Sequence, residues 1–489
     1  MGNYRKNRDY GRWKRTRCAG TIENQMLAML ADHQIKPTQA EAADFLNWMV
    51  GEAWKKYQND CMDKRVIIEN EVNALPIRIS NGTKGKAYVS ENIQMPSDKT
   101  FDYRFEGLEE IGLYAVVADD GVISIQGTPV AAGDFTIVMK YKYDGWIEGR
   151  PLLERKFPFA VNPNPRDLWR NIPTSPDVVY YKPDRECQYV KVEAGADGSA
   201  KKDIVAASNR GRSHAQEGKP RDDDFRLYHS DDNDWYVIAV ADGAGSAKYS
   251  RKGSEVACRT VVEHCKEKLR DAEAFENIIK AYNNADDEAA ARKAVGDMVY
   301  HIVGNAAFKA HKAIGEVAMT VENAKMKDFA TTLLLAVCKK FDFGWFVASF
   351  WVGDGAMCIY NDETKSIKLL GTPDEGEFSG QTRFLTMPEI FQDQKAFYQR
   401  LRFGIVDDFT ALMLMTDGVS DPMFGTDANL NNAAKWDGFW KRLHTGFPDD
   451  GISGVELADD NEDAKDQLLK WLDFWMPGEH DDRTIAILY

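Results

Sequence analysis

Two kinds of metal-binding residue are scarce in this chain of 489 residues. Its seven cysteines, at positions 18, 61, 187, 258, 265, 338 and 358, are odd in number and form no C-x-x-C pair. Such spacing argues against both a disulfide framework and a thiolate zinc site. Its eight histidines show neither H-x-x-x-H nor H-E-x-x-H spacing. Any metal must therefore be a hard cation held by oxygen. No run of about 20 apolar residues exists, so no membrane span is expected. The first residues lack the apolar stretch of a secretory signal, and Lys6 stands where a myristoylation signal needs Ser or Thr. A soluble, cytoplasmic protein is the expectation. Its net charge of −15 speaks against nucleic-acid binding by the whole chain.

What is present divides the chain. Residues 1–20 carry seven Lys/Arg against one Asp and read as a disordered, solvated tail or a docking arm for an acidic partner. Residues 21–66 read as helical, with Thr38 and Glu41 forming a capping box. Leu46, Met49, Val50, Ala53, Trp54 and Tyr57 recur at the helical period and predict a packing face. Over 67–163 the pattern becomes strand-like. Phe135, Ile137, Met139, Tyr141 and Tyr143 alternate with polar residues, while Asp120-Gly121 and Asp144-Gly145 supply turns. The stretch "GVISIQGTPVAAGDFTIVMKY" resembles bacterial immunoglobulin-like modules, which implies a small β-sandwich used for binding or spacing. Seven of the seventeen prolines fall between Pro151 and Pro183, which predicts an extended linker over 164–200, free or lying against a domain. From 201 to 489, short apolar runs alternate with a helical stretch at 253–325, predicting sheets covered by helices.

Three of those apolar runs end alike, in "VIAVADG", "SFWVGDG" and "LMLMTDG". Each sets an aspartate, Asp242, Asp354 or Asp417, where a buried strand emerges. Asp481-Asp482 precedes the last strand, and Asp222-Asp223-Asp224 lies upstream of the first. Asp-Gly alone is weak evidence, because the dipeptide occurs eight times here and usually marks a turn. If the strands adjoin in one sheet, five acidic sites meet at one edge. Carboxylates that close repel and need a cation to coexist. Several together suit a two-metal site with ions roughly 3.5–4 Å apart that activates water for attack at phosphorus. A dinucleotide loop at "GAGSAK" fits poorly, since the sequence is not G-x-G-x-x-G and Asp242 would face the pyrophosphate. Neither a Walker A loop nor a G-x-S-x-G elbow is present.

In this order, "VADGAGSA", "ATTLLLAV", "WVGDGAM", "LMTDGVSDP" and "DDRTIAIL" resemble the metal-dependent type 2C protein Ser/Thr phosphatases over roughly 205–489. The resemblance implies an α+β fold, an α-β-β-α sandwich of two central sheets flanked by helices, with two or three Mn²⁺ or Mg²⁺ ions. It implies that Asp242 bridges two metals, that Gly243 offers a carbonyl, and that Asp417 and Asp481 complete one ion's shell. Asp222-Asp223 matches the family's acidic pair, one residue binding metal and the other acting through bound water. Asp354 matches a third, weaker metal position, and Thr331-Thr332 matches a strand packed near the site. The implied reaction is in-line attack of metal-bound hydroxide on phosphoserine or phosphothreonine. Partners would be a phosphorylated protein and a cognate kinase, with no membrane and no nucleic acid.

Three departures bear on that reading. Gly218 stands where many members carry a phosphate-gripping arginine, leaving Arg212, Arg221 or His214 as substitutes, with His214 also a catalytic candidate beside Asp242 and Asp223. Ala244 replaces a histidine that serves other members as general acid, and Ala330 replaces a glycine. A second reading is a weak or inactive phosphatase-like module that binds phosphoproteins. A metal-dependent nuclease, a third, fits poorly with an acidic chain lacking a basic groove.

Overall fold

The computed structural model describes residues 39–60, 64–97, 99–195, 201–374 and 382–489. The basic tail, the expected helix before residue 39 and Thr38 of the expected capping box lie outside these. Two compact units result, Met1–Asn164 and Pro165–Tyr489. Among the described residues no helix is long and apolar enough to cross a membrane.

In the first unit, helices Gln39–Asp60 and Lys64–Ala74 precede seven strands: β1 (Gly82–Thr83), β2 (Tyr88–Val89), β3 (Phe101–Glu106), β4 (Leu113–Val117), β5 (Ile123–Gly127), β6 (Gly133–Tyr143) and β7 (Leu153–Asn162). They form sheets ordered β1-β7-β6-β3 and β2-β5-β4. The alternation read in β6 holds: Ile137, Met139 and Tyr141 are buried, while Thr136 and Lys142 are exposed. Ile68 and Val72 of the second helix enter the same core as Ile123, Met139 and Phe159. Residues 67–74, expected within the β region, are thus helical, because their Ile and Val spacing covers the sheets. On the first helix, Val50 and Trp54, expected on a packing face, are 58% and 55% exposed. The side chains of Leu46 and Tyr57 lie outside the described residues.

The second unit holds β8 (Arg185–Val190), β9 (Ile204–Asn209), β10 (Asp224–His229), β11 (Tyr236–Ala241), β12 (Leu333–Phe341), β13 (Gly344–Val352), β14 (Ala356–Asn361), β15 (Ser366–Leu369), β16 (Leu401–Val406), β17 (Ala411–Met415) and β18 (Arg483–Leu488). One sheet is ordered β10-β11-β12-β13-β16 and the other β15-β14-β17-β18-β9-β8. Alternate residues of a strand point to opposite faces, and in β11 both faces are covered. Val237, Ala239 and Ala241 pack under helices Ser250–Leu269, Glu273–Asn283, Glu288–Val299 and Asn305–Met319. Tyr236, Ile238 and Val240 join Leu412, Leu414, Ala486 and Leu488 between the sheets. Helices Asp417–Phe424, Ala433–Thr445 and Ala464–Trp471 cover the far face of the second sheet through Val419, Trp436, Phe439 and Trp471. Two-sided burial explains why these strands read as continuous apolar runs.

Within the expected linker over 164–200, the described residues run without a strand from 171 to 184 and then enter β8. Pro165 onward belongs to the second unit, and β8 is an edge strand of its second sheet, paired with β9 from Arg185–Asn209 to Val190–Ile204. Prolines stop short of β8, so nothing prevents its ladder from forming.

Candidate active site

Strand register puts the acidic positions at one end of the sandwich. In the first sheet Asp224 pairs with Ala241, Val240 with Leu334 and Leu333 with Val352. The start of β10 and the ends of β11 and β13 therefore lie side by side. In the second sheet Met415 pairs with Ile485, bringing the end of β17 to the start of β18. The acidic edge predicted for a single sheet is divided between two, with Asp222, Asp223, Asp242 and Asp354 from one and Asp417 and Asp481 from the other. Hydrogen bonds close the seam. Asp223 Oδ2 accepts from Thr416 Oγ1 at 3.0 Å and Thr484 Oγ1 at 2.6 Å.

Asp242, Asp354 and Asp417 each offer one carboxylate oxygen, all within 4.8 Å of one another. Burial, then the charges of Asp417, Asp223, Asp481 and Asp354, raises the Asp242 pKa well above the carboxylate range. Asp417 is raised by burial and then Asp354 and Asp481. Burial and then Asp482 push Asp223 up to about 7. Asp222, Asp354 and Asp481 are also raised, each chiefly by burial. One oxygen each of Asp222, Asp223 and Asp354 is buried without a hydrogen-bond partner. Buried orphan acceptors are costly unless something binds them. An all-oxygen donor set, mutually repelling and partly unpartnered, fits Mg²⁺ or Mn²⁺.

Backbone locks set these side chains. Asp242 N–H donates to Thr332 Oγ1 at 2.8 Å, and its carbonyl accepts from Thr332 N–H and Thr331 Oγ1, both at 2.8 Å. Thr331 and Thr332 thus act by holding Asp242. A Cβ at Gly243 would lie 2.6 Å from the Asp222 carbonyl oxygen, so glycine permits the two loops to approach. Thr382 donates to Asp354 Oδ2.

His214 is brought to the acidic pair. Its Nδ1 lies 3.1 Å from both oxygens of Asp482 and its Nε2 is 3.6 Å from Asp222 Oδ2. Burial opposes its charge, but Asp482 and Asp222 outweigh burial and lift its pKa to about 9.

The two arginines expected to grip phosphate are engaged by other protein groups. Arg221 is fully buried and donates to Ser208 O at 3.2 Å and Glu186 Oε2 at 2.6 Å. Arg212 donates to the backbone and side chain of Asp473, both at 3.1 Å, lies over Trp475, and lines a cavity of about 340 Å³ with Trp169, Arg185 and Arg210. Both guanidinium groups are committed to carboxylates outside the metal-ligand set.

Sequence reading named Asp482 only as half of an acidic pair, without a role, and missed Arg251 and Lys182. Asp482 accepts the N–H groups of Gly211 and Asp222, each at 2.6 Å, and the acid doublet was its visible signal. Arg251 Nη1 is 3.6 Å from Asp222 Oδ1. Lys182 meets Asp224 Oδ2 at 2.7 Å, with no signal in a proline-rich stretch.

A family model described as protein phosphatase 2C matches residues 210–473, more than half of the chain. No curated protein matches. Among solved structures, a bacterial serine phosphatase is similar at 12% identity and TM-score 0.34, covering 58% of this chain and 96% of that one. The catalytic domain of the serine threonine protein phosphatase PstP, in complex with two manganese ions, has 16% identity and TM-score 0.30, covering 62% and 98%. The S. agalactiae serine/threonine phosphatase has 12% identity and TM-score 0.32, covering 62% and 99%.

Proposed function

The chain belongs to the protein phosphatase 2C family, and from that premise we propose that it hydrolyses phosphoserine and phosphothreonine in proteins with Mn²⁺ or Mg²⁺. The observation that best supports this is the convergence of Asp242, Asp354 and Asp417 from the ends of three strands. Asp242 would hold the ions through its carboxylate and Gly243 through its backbone carbonyl. Asp417, Asp481 and Asp354 would complete the ligand set, with Asp222 and Asp223 as the acidic pair. Bound divalent ions supply Lewis acidity, lowering the pKa of coordinated water and offsetting phosphoryl charge.

The chain's own residues orient that chemistry. Thr416 and Thr484 fix one oxygen of Asp223, leaving the other for a ligand or a water. With Ala244 in place of a histidine, His214, whose pKa Asp482 and Asp222 lift to about 9, is assigned as the site's proton holder. The first unit is assigned to targeting or regulation, with its β region read as immunoglobulin-like, and a cognate Ser/Thr kinase as the opposing activity.

The commitment of Arg212 and Arg221 to Asp473 and Glu186 supports a second reading, an inactive module that binds phosphoproteins. Phosphate release from a phosphothreonine peptide with Mn²⁺ separates the two. The phosphatase reading requires turnover by the wild type that Asp242→Asn abolishes. Manganese binding with no turnover in either protein selects the binding module.

A further inference from the structure

The strand-free segment 171–184, upstream of the family-matched region, is fastened onto the candidate site. Arg210 donates to Asn171 Oδ1 at 2.8 Å, to Ile172 O at 3.0 Å and to Thr174 Oγ1 at 2.7 Å, and pairs with Asp184 at 3.0 Å. Ile172 N–H donates to Ala215 O at 2.9 Å. Arg251 donates to the carbonyls of Val179 and Tyr180 at 3.1 and 3.2 Å. Tyr180 has φ +58°, a left-handed conformation that a non-glycine residue holds only where its surroundings fix it. Its ring packs against Tyr249 and Phe329.

This strap delivers Lys182, whose side chain is 9% exposed. Its ammonium has three N–H donors and no acceptor, and three acceptors surround it. Nζ is 2.9 Å from Asp223 O, 3.0 Å from Ser254 Oγ and 2.7 Å from Asp224 Oδ2. Ser254 Oγ in turn donates to Asp222 O at 2.5 Å. One cation therefore holds the carbonyl of Asp223 directly and that of Asp222 through Ser254. A pair needed only to neutralise Asp224 would not require either carbonyl, and Arg226 already lies 3.4 Å from Asp224 Oδ1.

We propose that Lys182 is a positioning residue that fixes the backbone carbonyls of Asp222 and Asp223 for metal binding, so that the functional catalytic unit includes the strap at 171–184. The inference rests on the metal-dependent reading of the site. Groups that orient ligands from behind are worth roughly 10–100-fold in metal affinity or activity.

The test uses the full chain and compares wild type, Lys182→Met and the double variant Lys182→Met/Asp224→Asn. The single variant leaves a buried carboxylate with a lost partner and is expected to lose stability. The double variant removes that charge, so its metal-free melting temperature returns toward wild type. Its Mn²⁺ affinity by calorimetry still falls about tenfold or more, and kcat on a phosphothreonine peptide falls with KM unchanged. A folded double variant with wild-type Mn²⁺ affinity and kcat overturns the proposal. One that fails to fold assigns Lys182 to stability alone and overturns it equally. If the wild type itself releases no phosphate, the phosphatase reading fails, and the calorimetric comparison still decides Lys182.

Discussion

The imidazole Nδ1 of His214 lies 3.1 Å from each carboxylate oxygen of Asp482, while Asp482 itself receives the N–H of Asp222. A histidine on one short helix thus braces the acidic pair through a residue of the last strand's lead-in. Replacing it by Gln, which cannot carry the charge, should leave Asp482 buried without its cation. Initial rates on a phosphothreonine peptide should fall at least roughly tenfold, with a lower metal-free melting temperature. Unchanged rates in His214→Gln would remove His214 from the site.

Acidity provides a second handle. His214 has a folded pKa of about 9, above its ordinary value of 6.5, so its stabilisation is complete below 6.5 and is lost as pH rises through 9. Asp223 at about 7 and Asp421 at about 6 are raised by burial and neighbouring carboxylates, so the folded chain binds more protons than the unfolded one there. Both signs agree, since stability rises on acidification wherever the native state holds the extra proton. Metal-free protein should melt higher at pH 7 than at pH 8.5, and saturating Mn²⁺ should flatten that difference. Calorimetric melts of chelator-treated protein check this; a flat or opposite trend contradicts the electrostatics described.

Gly243 faces the Asp222 carbonyl at a distance that admits no Cβ. Gly243→Ala should therefore push apart two ligand-bearing loops. Mn²⁺ titration calorimetry should show weakened binding in a protein whose circular dichroism stays close to wild type.

Thr332→Val tests the lock on Asp242. Valine keeps the shape but leaves the Asp242 N–H without the acceptor it now has at 2.8 Å. An unmet buried donor costs about 1–3 kcal/mol, measurable by denaturant unfolding of the metal-free chain. A loss below a few tenths would show that water replaces the hydroxyl.

Arg212 and Arg221 carry the opposite expectation to a phosphate grip. With their guanidinium groups spent on Asp473 and Glu186, Arg212→Lys should leave KM for the phosphopeptide within about twofold. A large rise in KM at constant kcat would return Arg212 to the substrate.

Much of this was legible because the signals are local. Asp242, Asp354 and Asp417 each end an apolar run, and a buried strand that stops at an acid marks itself. Two-sided burial made the strands continuous, so the layered architecture could be anticipated. Division of the acids between two sheets could not, because register is not written in any one strand. Nor could the strap: prolines announce an extended chain but not what it lies against. Lys182 has meaning only through Asp223 and Ser254, far away in sequence. The carboxylate partners of Arg212 and Arg221 were hidden for a related reason, since a side chain's partner is chosen by the fold and not by its distance from a motif.

The most direct test is anomalous diffraction at the manganese edge from crystals of the full chain soaked with Mn²⁺. The account predicts at least two peaks enclosed by Asp223, Asp242, Asp417 and Asp481, and their loss in Asp242→Asn. Saturating Mn²⁺ with no peak among these four carboxylates would contradict it.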